Sequence, residues 1–280
     1  MGYTCFEIEE SEGVAHVILS RPDELNTMIP AFWSELPEII DDMSDSGRVR
    51  CVVISSTGKH FSAGMDLSVF TDGSTLDDDA SHEVGRQRAN LRTNAMHLQR
   101  AFSALEEARM PVLAAIQGGA VGGAVDMVTA ADCRYATADA WFCIQEINIG
   151  MTADVGTLQR LPKLISDGVV RELAYTGDRM GAQRAKDVGL INEVYADQAA
   201  MLDDVLSIAG RIASKSPLAV YGSKQSILYA RDHSVADSLN QIATWQTGMF
   251  QPADMAESFQ AQMEKRDPVF DDLNPVRRGL

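Results

Sequence analysis

Three carboxylic acids stand in segments where a charged side chain is costly. Asp126 follows a run of glycines, and Glu146 lies among apolar residues. Asp154 lies in a short stretch beside Gly156. A lone acid in such surroundings is more often a helix cap or a buried ion-pair partner. Removal from water raises the pKa of a carboxyl group toward neutrality, as a general acid or base at pH 7 requires. Three acids near one anion-stabilising site would therefore favour proton-transfer chemistry.

A glycine-rich segment, Gly118–Gly123, follows a predicted strand. It contains no Gly-x-Gly-x-x-Gly pattern and no Gly-Lys-Ser/Thr ending, so the dinucleotide-binding and P-loop mechanisms are excluded. Glycine at a strand-to-helix turn lets a backbone N–H group approach a ligand closely, and the start of the next helix favours negative charge. The segment fits an oxyanion site. Close packing of a helix on a strand explains the glycines equally well.

A second loop of small residues, Phe61–Leu67, also follows a predicted strand, and two backbone donors from two such loops could polarise one carbonyl oxygen. Together the loops resemble those of the crotonase, or enoyl-coenzyme A hydratase/isomerase, family. The resemblance runs from about Ile8 to Phe270. It implies that the N–H groups of Met65 and Gly123 are the oxyanion donors. It also implies that the substrate is bound by Ala63, Gly64, Met65, Asp66, Leu67 and Gly123.

This chemistry explains why two donors would be useful. Removal of a proton next to a thioester places negative charge on the carbonyl oxygen, and preorganised donors lower such a barrier by roughly 3 kcal/mol each. A carboxylate can then act as the base.

The segment from Gln145 to Pro162 resembles the dienoyl-coenzyme A isomerase branch of the family, in which an Asp, Glu, Asp trio is catalytic. Glu146 and Asp154 lie 20 and 28 residues after Asp126, as in that branch. The resemblance implies that Glu146 is the base at C2 and Asp154 the acid at C6, with Asp126 as a neighbour that tunes or supports them.

The elements that must position these groups can be read from hydrophobic patterns. Phe6–Ile8 and Val14–Leu19 predict paired strands, and apolar runs at Cys51–Ile54 and Val112–Ile116 predict buried strands. Helical spacing is found in five segments, which are Pro30–Met43, Ser81–Ala108, Met201–Ala213, Pro217–Tyr229 and Val235–Lys265. An acidic, turn-rich stretch, Asp72–Asp79, predicts a surface loop. These patterns support a mixed α/β chain that ends in helices.

The fold implied by the resemblance is more specific: an α/β crotonase-like spiral of ββα units, with a C-terminal helical region that supports trimerisation. We assign residues 1–195 to the spiral core and residues 196–280 to the helical region. Trimers, and hexamers made of two trimers, are common in the family.

Composition excludes several other classes. A formal net charge of −16 makes general nucleic-acid binding improbable, because neutralising phosphates requires a basic patch. No apolar run is long enough to cross a bilayer, and the N-terminus resembles neither a secretory nor a transit signal, so the chain is expected to be cytoplasmic. The four cysteines form no disulfide or zinc pattern with each other or with the five histidines. No cofactor is expected, since coenzyme A is part of the substrate.

The leading hypothesis is an isomerase that converts 3,5-dienoyl-CoA to 2,4-dienoyl-CoA in fatty acid β-oxidation. The nearest alternative is an enoyl-CoA hydratase or a Δ3,Δ2-enoyl-CoA isomerase. An alternative from another class is a non-catalytic binding protein on the same fold, against which the acidic charge and the three acids both count.

Overall fold

The computed structural model describes residues 2–66, 68–71, 83–250 and 252–277. Leu67 and the acidic stretch Asp72–Asp79 lie outside these ranges. The described strands, numbered along the chain, are β1 (Phe6–Ser11), β2 (Val14–Leu19), β3 (Cys51–Ser56), β4 (Val112–Ile116), β5 (Gly119–Val121), β6 (Cys133–Thr137), β7 (Trp141–Cys143), β8 (Met180–Gly181) and β9 (Glu193–Tyr195).

The strands form two sheets. The larger has the order β1-β2-β3-β4-β6-β9, and the smaller has the order β5-β7-β8. β1 and β2 make an antiparallel hairpin around Glu12 and Gly13, whose positive φ angles of 50° and 79° fit a tight two-residue turn. The predicted pairing of these two strands is confirmed. From β2 onward, every pairing in the larger sheet is parallel.

The central strands β3 and β4 are buried on both faces, which explains their continuous apolar sequences. One face, which includes Val52 and Ala114, joins the main core. The opposite face, with Val53 and Leu113, packs against a helix near the C-terminus. The two predicted strands at these positions are confirmed.

Eleven helices are described: α1 (Pro30–Ser46), α2 (Ser68–Thr71), α3 (Val84–Glu107), α4 (Gly123–Ala130), α5 (Thr157–Arg160), α6 (Asp167–Thr176), α7 (Ala182–Asp187), α8 (Gln198–Ala213), α9 (Pro217–Asp232), α10 (Val235–Met249) and α11 (Pro252–Glu264). The chain repeats a strand for the large sheet, a strand for the small sheet and a helix, as in β4-β5-α4. This repeat is the ββα order that the resemblance implied.

One sequence prediction about the helices is wrong. The pattern from Val235 to Lys265 predicted a single helix, but α10 ends at Met249 and α11 begins at Pro252. Proline has no N–H group and its ring collides with the carbonyl four residues earlier, so Pro252 is tolerated at a helix start and not inside a helix.

The C-terminal helices do not form one separate layer. α8 packs on the large sheet through Met201, Val205 and Ala209. α9 reaches the core through the buried ammonium group of Lys224, which donates to the carbonyls of Leu105 at 2.7 Å and Met110 at 3.0 Å. The division of the chain at residue 195 stays a prediction.

Candidate active site

The two small-residue loops lie side by side because backbone hydrogen bonds join them. The N–H of Ser62 donates to the carbonyl of Gly119 at 3.2 Å, and the N–H of Val121 donates back to the carbonyl of Ser62 at 3.1 Å. The first loop is also tied to Met28, whose N–H donates to Gly64 and whose carbonyl accepts from Asp66. The start of α4 and the loop that follows β3 therefore meet at one place.

Gly64 shows why the first loop needs a small residue. Its φ is +84°, a left-handed conformation that side chains disfavour. A Cβ atom on Gly64 would lie 2.5 Å from the carbonyl oxygen of Val121 and 3.5 Å from the nitrogen of Gly123. The loops are in contact only because this position has no side chain.

The N–H groups of Met65 and Gly123 have no acceptor among the described residues. The bonds between Met28 and its neighbours use Gly64 and Asp66, so they leave the N–H of Met65 free. Gly123 is the first residue of α4, where N–H groups lack a partner inside the helix. Both groups can therefore donate to a bound oxygen. Their convergence on a single oxygen stays a prediction.

Other residues of the first loop hydrogen-bond to the segments next to the loop. The N–H of Ala63 donates to the carbonyl of Leu25 at 3.0 Å. The carboxylate of Asp66 accepts from Thr27 Oγ1 at 2.9 Å and from Ser68 Oγ at 2.6 Å. These hydrogen bonds lower the pKa of Asp66, with those from Ser68 as the largest cause. Substrate contacts at Ala63, Gly64, Asp66 and Leu67 stay predictions.

Asp126 is fully buried on α4, 0% exposed. Its Oδ1 atom accepts from the N–H of Thr157 at 2.5 Å, whereas its Oδ2 atom is buried and has no hydrogen-bond partner among the described residues. Burial raises the pKa of Asp126 to about 6, although the hydrogen bond from Thr157 opposes the change. An acid with a free oxygen and a pKa close to neutrality can hold or release a proton.

Glu146 begins a short 3-10 helix, Glu146–Ile149, directly after β7, and its side chain is half-buried. Its carboxylate faces the glycine turn, since a Cβ atom on Gly122 would lie 3.1 Å from Glu146 Oε1. Burial raises the pKa of Glu146 to about 7, and the negative charges of Asp126 and Asp154 contribute further. This carboxylate lies next to the loop that ends in the free N–H of Gly123.

Asp154 differs from the other two acids because it is exposed. It lines an open cavity of about 340 Å³ together with Gln99, Gln159 and Arg160. Its charge acts on both Asp126 and Glu146, so the structure brings the three acids named from the sequence into one electrostatic group.

Sequence reasoning missed the residues that hold these groups in place. The buried amide of Asn26 donates to the carbonyls of Thr57 and His60, at 2.8 and 3.1 Å, and so fixes the approach to the first loop. Gln99 donates to the backbone carbonyl of Asp154 at 2.8 Å. The guanidinium group of Arg160 packs against Gly156, in the turn that contains Asp154. These contacts join distant segments and leave no periodic or motif signal.

Among the described residues, no group of three or more His, Cys, Asp or Glu side chains could hold a metal ion. Within the same ranges, no helix is both long and apolar enough to span a membrane.

The chain is similar to known proteins over almost its whole length. The family model described as enoyl-CoA hydratase/isomerase matches residues 9–274. The mitochondrial Delta(3,5)-Delta(2,4)-dienoyl-CoA isomerase of Mus musculus is 45% identical over 255 residues, which are 91% of this chain and 77% of that protein. The peroxisomal protein of the same name from Arabidopsis thaliana is 39% identical over 257 residues, 92% of each.

These names place the two relatives in mitochondria and peroxisomes, and the predicted cytoplasmic location stays a prediction. Among solved structures, an enoyl-CoA hydratase from Bacillus anthracis is 28% identical and matches with a TM-score of 0.83, over 95% of this chain and 99% of that one. The fold predicted from the sequence is confirmed by this similarity.

Proposed function

This chain is an enzyme that belongs to the enoyl-CoA hydratase/isomerase family, and we propose that it converts 3,5-dienoyl-CoA to 2,4-dienoyl-CoA in fatty acid β-oxidation. The observation that carries the proposal is the third carboxylate. Asp154 acts electrostatically on the pair formed by Asp126 and Glu146, and a hydratase has no evident need for it. The names of relatives at 39 to 45% identity support the same reaction.

In the proposed first step, Glu146 removes a proton from C2 of the substrate. The N–H groups of Met65 and Gly123 donate to the thioester oxygen, which gains negative charge as the dienolate forms. Donors held in place before the reaction stabilise that charge by roughly 3 kcal/mol each. A pKa of about 7 suits Glu146 to this role, since a base works best when its pKa lies near the working pH.

In the proposed second step, Asp154 gives a proton to C6. C2 and C6 lie at opposite ends of the conjugated dienolate, so one carboxylate cannot conveniently serve both. The carbonyl re-forms as the electron pair moves from the oxygen toward C6. Glu146 then holds one proton more and Asp154 one fewer, and exchange with solvent restores both. Asp126 stays beside Glu146 and keeps its pKa high.

We propose that this reaction needs no metal ion and no redox cofactor. Both steps are proton transfers, and the oxidation level of the acyl group does not change. Coenzyme A enters only as part of the substrate.

We also propose that the protein assembles as a homotrimer or as a hexamer of two trimers. Large apolar side chains are more than half exposed on or beside α9, α10 and α11, and exposed apolar side chains in such numbers are typical of subunit contacts. They are Ile227, Val235, Leu239, Phe250, Phe259 and Met263. Mass measurement of the native protein in solution tests this, and a monomer would contradict it.

The function is tested with a panel of 2-enoyl, 3-enoyl and 3,5-dienoyl thioesters of coenzyme A. We expect the 3,5-dienoyl substrate to give the highest kcat/KM, followed by the growing absorbance of the conjugated 2,4-dienoyl product. Addition of water to a 2-enoyl substrate as the preferred reaction would make the chain a hydratase, which is the second candidate. Because the chain belongs to an enzyme family, the alternative of a non-catalytic binding protein has no support.

A further inference from the structure

One short turn, residues 153–157, contains Asp154 and contacts Asp126. The amide of Gln99 on α3 donates to the backbone carbonyl of Asp154 at 2.8 Å. Three residues later, the N–H of Thr157 donates to Asp126 Oδ1 at 2.5 Å. A displacement of this turn would therefore move Asp154 and remove the hydrogen bond to Asp126 at the same time.

The side chain of Arg160 fills the space beneath this turn. Gly156 has a φ of +143°, and a Cβ atom on it would lie 1.8 Å from Arg160 Nη1, so the guanidinium group packs directly against the glycine. Arg160 Nη2 donates to Ser103 Oγ at 3.1 Å, and Arg160 Nε donates to Glu106 Oε2 at 2.8 Å. Both acceptors lie on α3. Arg160 thus joins the turn to this long helix, as Gln99 does.

The ion pair between Arg160 and Glu106 is buried, with side chains only 11% and 14% exposed. Glu106 also accepts from Arg231 on α9, so one carboxylate serves two guanidinium groups. The positive charge of Arg160 has a second effect. It lowers the pKa of Asp126, whereas burial raises that pKa.

The charged groups that act on Asp126 lie on several elements. Arg160 lies at the end of α5, and Asp154 lies in the turn before it. Glu146, whose own pKa is raised by Asp126, follows β7. Glu106 on α3 stands behind Arg160. Loss of the charge at Arg160 and loss of the charge at Glu106 should therefore shift the pKa of Asp126 in opposite directions.

We propose that Arg160, held by Glu106, is a positioning residue for the delivery of the proton at C6, because it fixes the turn that bears Asp154 and the Thr157 donor to Asp126. This inference rests on the proposed function. The simpler reading is a buried ion pair that only stabilises the fold, as many do. The two readings differ in their effect on titration and on the balance between the two proton transfers.

The test compares Arg160→Met with Glu106→Gln. Loss of the positive charge should raise the pKa of Asp126, whereas loss of the negative charge behind Arg160 should lower it. The expected changes are about 1 pH unit, and an ion pair whose charges do not reach Asp126 would leave that pKa unchanged. The pKa is measured by carbon NMR of ¹³C-labelled aspartate, without substrate, with the Asp126 signal assigned by its loss in Asp126→Asn.

The same variants are then assayed with a 3,5-dienoyl thioester in deuterated water. For Arg160→Met we expect isomerisation to fall by about 10²-fold, as for a misplaced catalytic group, while exchange at C2 falls much less. Arg160→Lys keeps the charge and loses the forked geometry. This variant should therefore leave the pKa of Asp126 unchanged and still slow the transfer of a proton to C6.

The matched control is an exposed ion pair, Arg184 with Glu172, whose side chains are 44% and 49% exposed. Arg184→Met and Glu172→Gln should leave the titration and the ratio of exchange to isomerisation unchanged. If Arg160→Met does not fold, Glu106→Gln is assayed in its place: a greater loss of isomerisation than of C2 exchange supports the inference, and equal losses overturn it.

Equal losses of C2 exchange and isomerisation in Arg160→Met would also overturn the inference, whether or not the titration of Asp126 moves. The NMR titration needs no turnover. It therefore tests Arg160 even if the substrate panel shows that the protein is a hydratase.

Discussion

The two halves of the candidate site are built in different ways. The donor half consists of backbone N–H groups at Met65 and Gly123, and backbone hydrogen bonds between neighbouring loops hold it together. The acid half consists of side chains, and their properties come from burial, mutual repulsion and contacts with a distant helix.

This difference indicates how each half would fail. The donor half depends on the absence of side chains, so it should be disrupted by adding a single methyl group. The acid half depends on charge, so it should respond to substitutions that keep the shape of a side chain and change only its protonation.

The largest effect is expected from Glu146→Gln. The amide keeps the size of the side chain and cannot accept the C2 proton, so kcat should fall by about 10⁴-fold while thioester binding changes little. Turnover and binding are measured separately, by absorbance and by calorimetry. Glu107→Gln is the control, because Glu107 is 64% exposed and only loosely paired with Arg100. A Glu146→Gln enzyme with a normal rate would remove Glu146 from the role of base.

A smaller but still large effect is expected from Gly64→Ala. The added methyl group would lie 2.5 Å from the carbonyl oxygen of Val121 and must push the two loops apart. Loss of one preorganised donor typically lowers kcat by about 10²- to 10³-fold. Gly210→Ala is the matched control, because a Cβ atom there meets nothing within 4 Å. Equal kcat values for both variants would contradict the account of the donor loops.

The smallest effect is expected from Asp126→Asn. It is measured as a change in the pH profile of kcat/KM. Glu146 must be ionised to act as a base, so kcat/KM should fall as the pH drops below its pKa of about 7. After burial, the charge of Asp126 is the largest cause that raises this pKa. The variant should therefore move the acidic limb to lower pH, by about 1 pH unit. An unchanged limb would show that the two acids titrate independently.

The donor half could be predicted from the sequence more fully than the acid half. Glycines at Gly118–Gly123 and small residues at Phe61–Leu67 mark close backbone approach by composition alone, and short apolar runs predicted the strands before them. The acids were singled out by their surroundings, but their roles, like the identity of the two donors, came from a resemblance, and the partners of the acids were not found. Gln99 and Asp154, or Glu106 and Arg160, are more than 50 residues apart in the chain. Such pairs meet only after α3 has packed on α4, which local patterns cannot indicate.

The most direct test of the proposed mechanism is Asp154→Asn in deuterated water with a 3,5-dienoyl thioester. Exchange at C2 should continue, because Glu146 and the two backbone donors remain. Delivery of a proton to C6 should fall by about 10²- to 10⁴-fold, the usual cost of losing a general acid. Normal isomerisation by this variant would contradict the account, and Asp154 would then be only a turn residue of a hydratase or monoenoyl isomerase that uses Asp126 and Glu146.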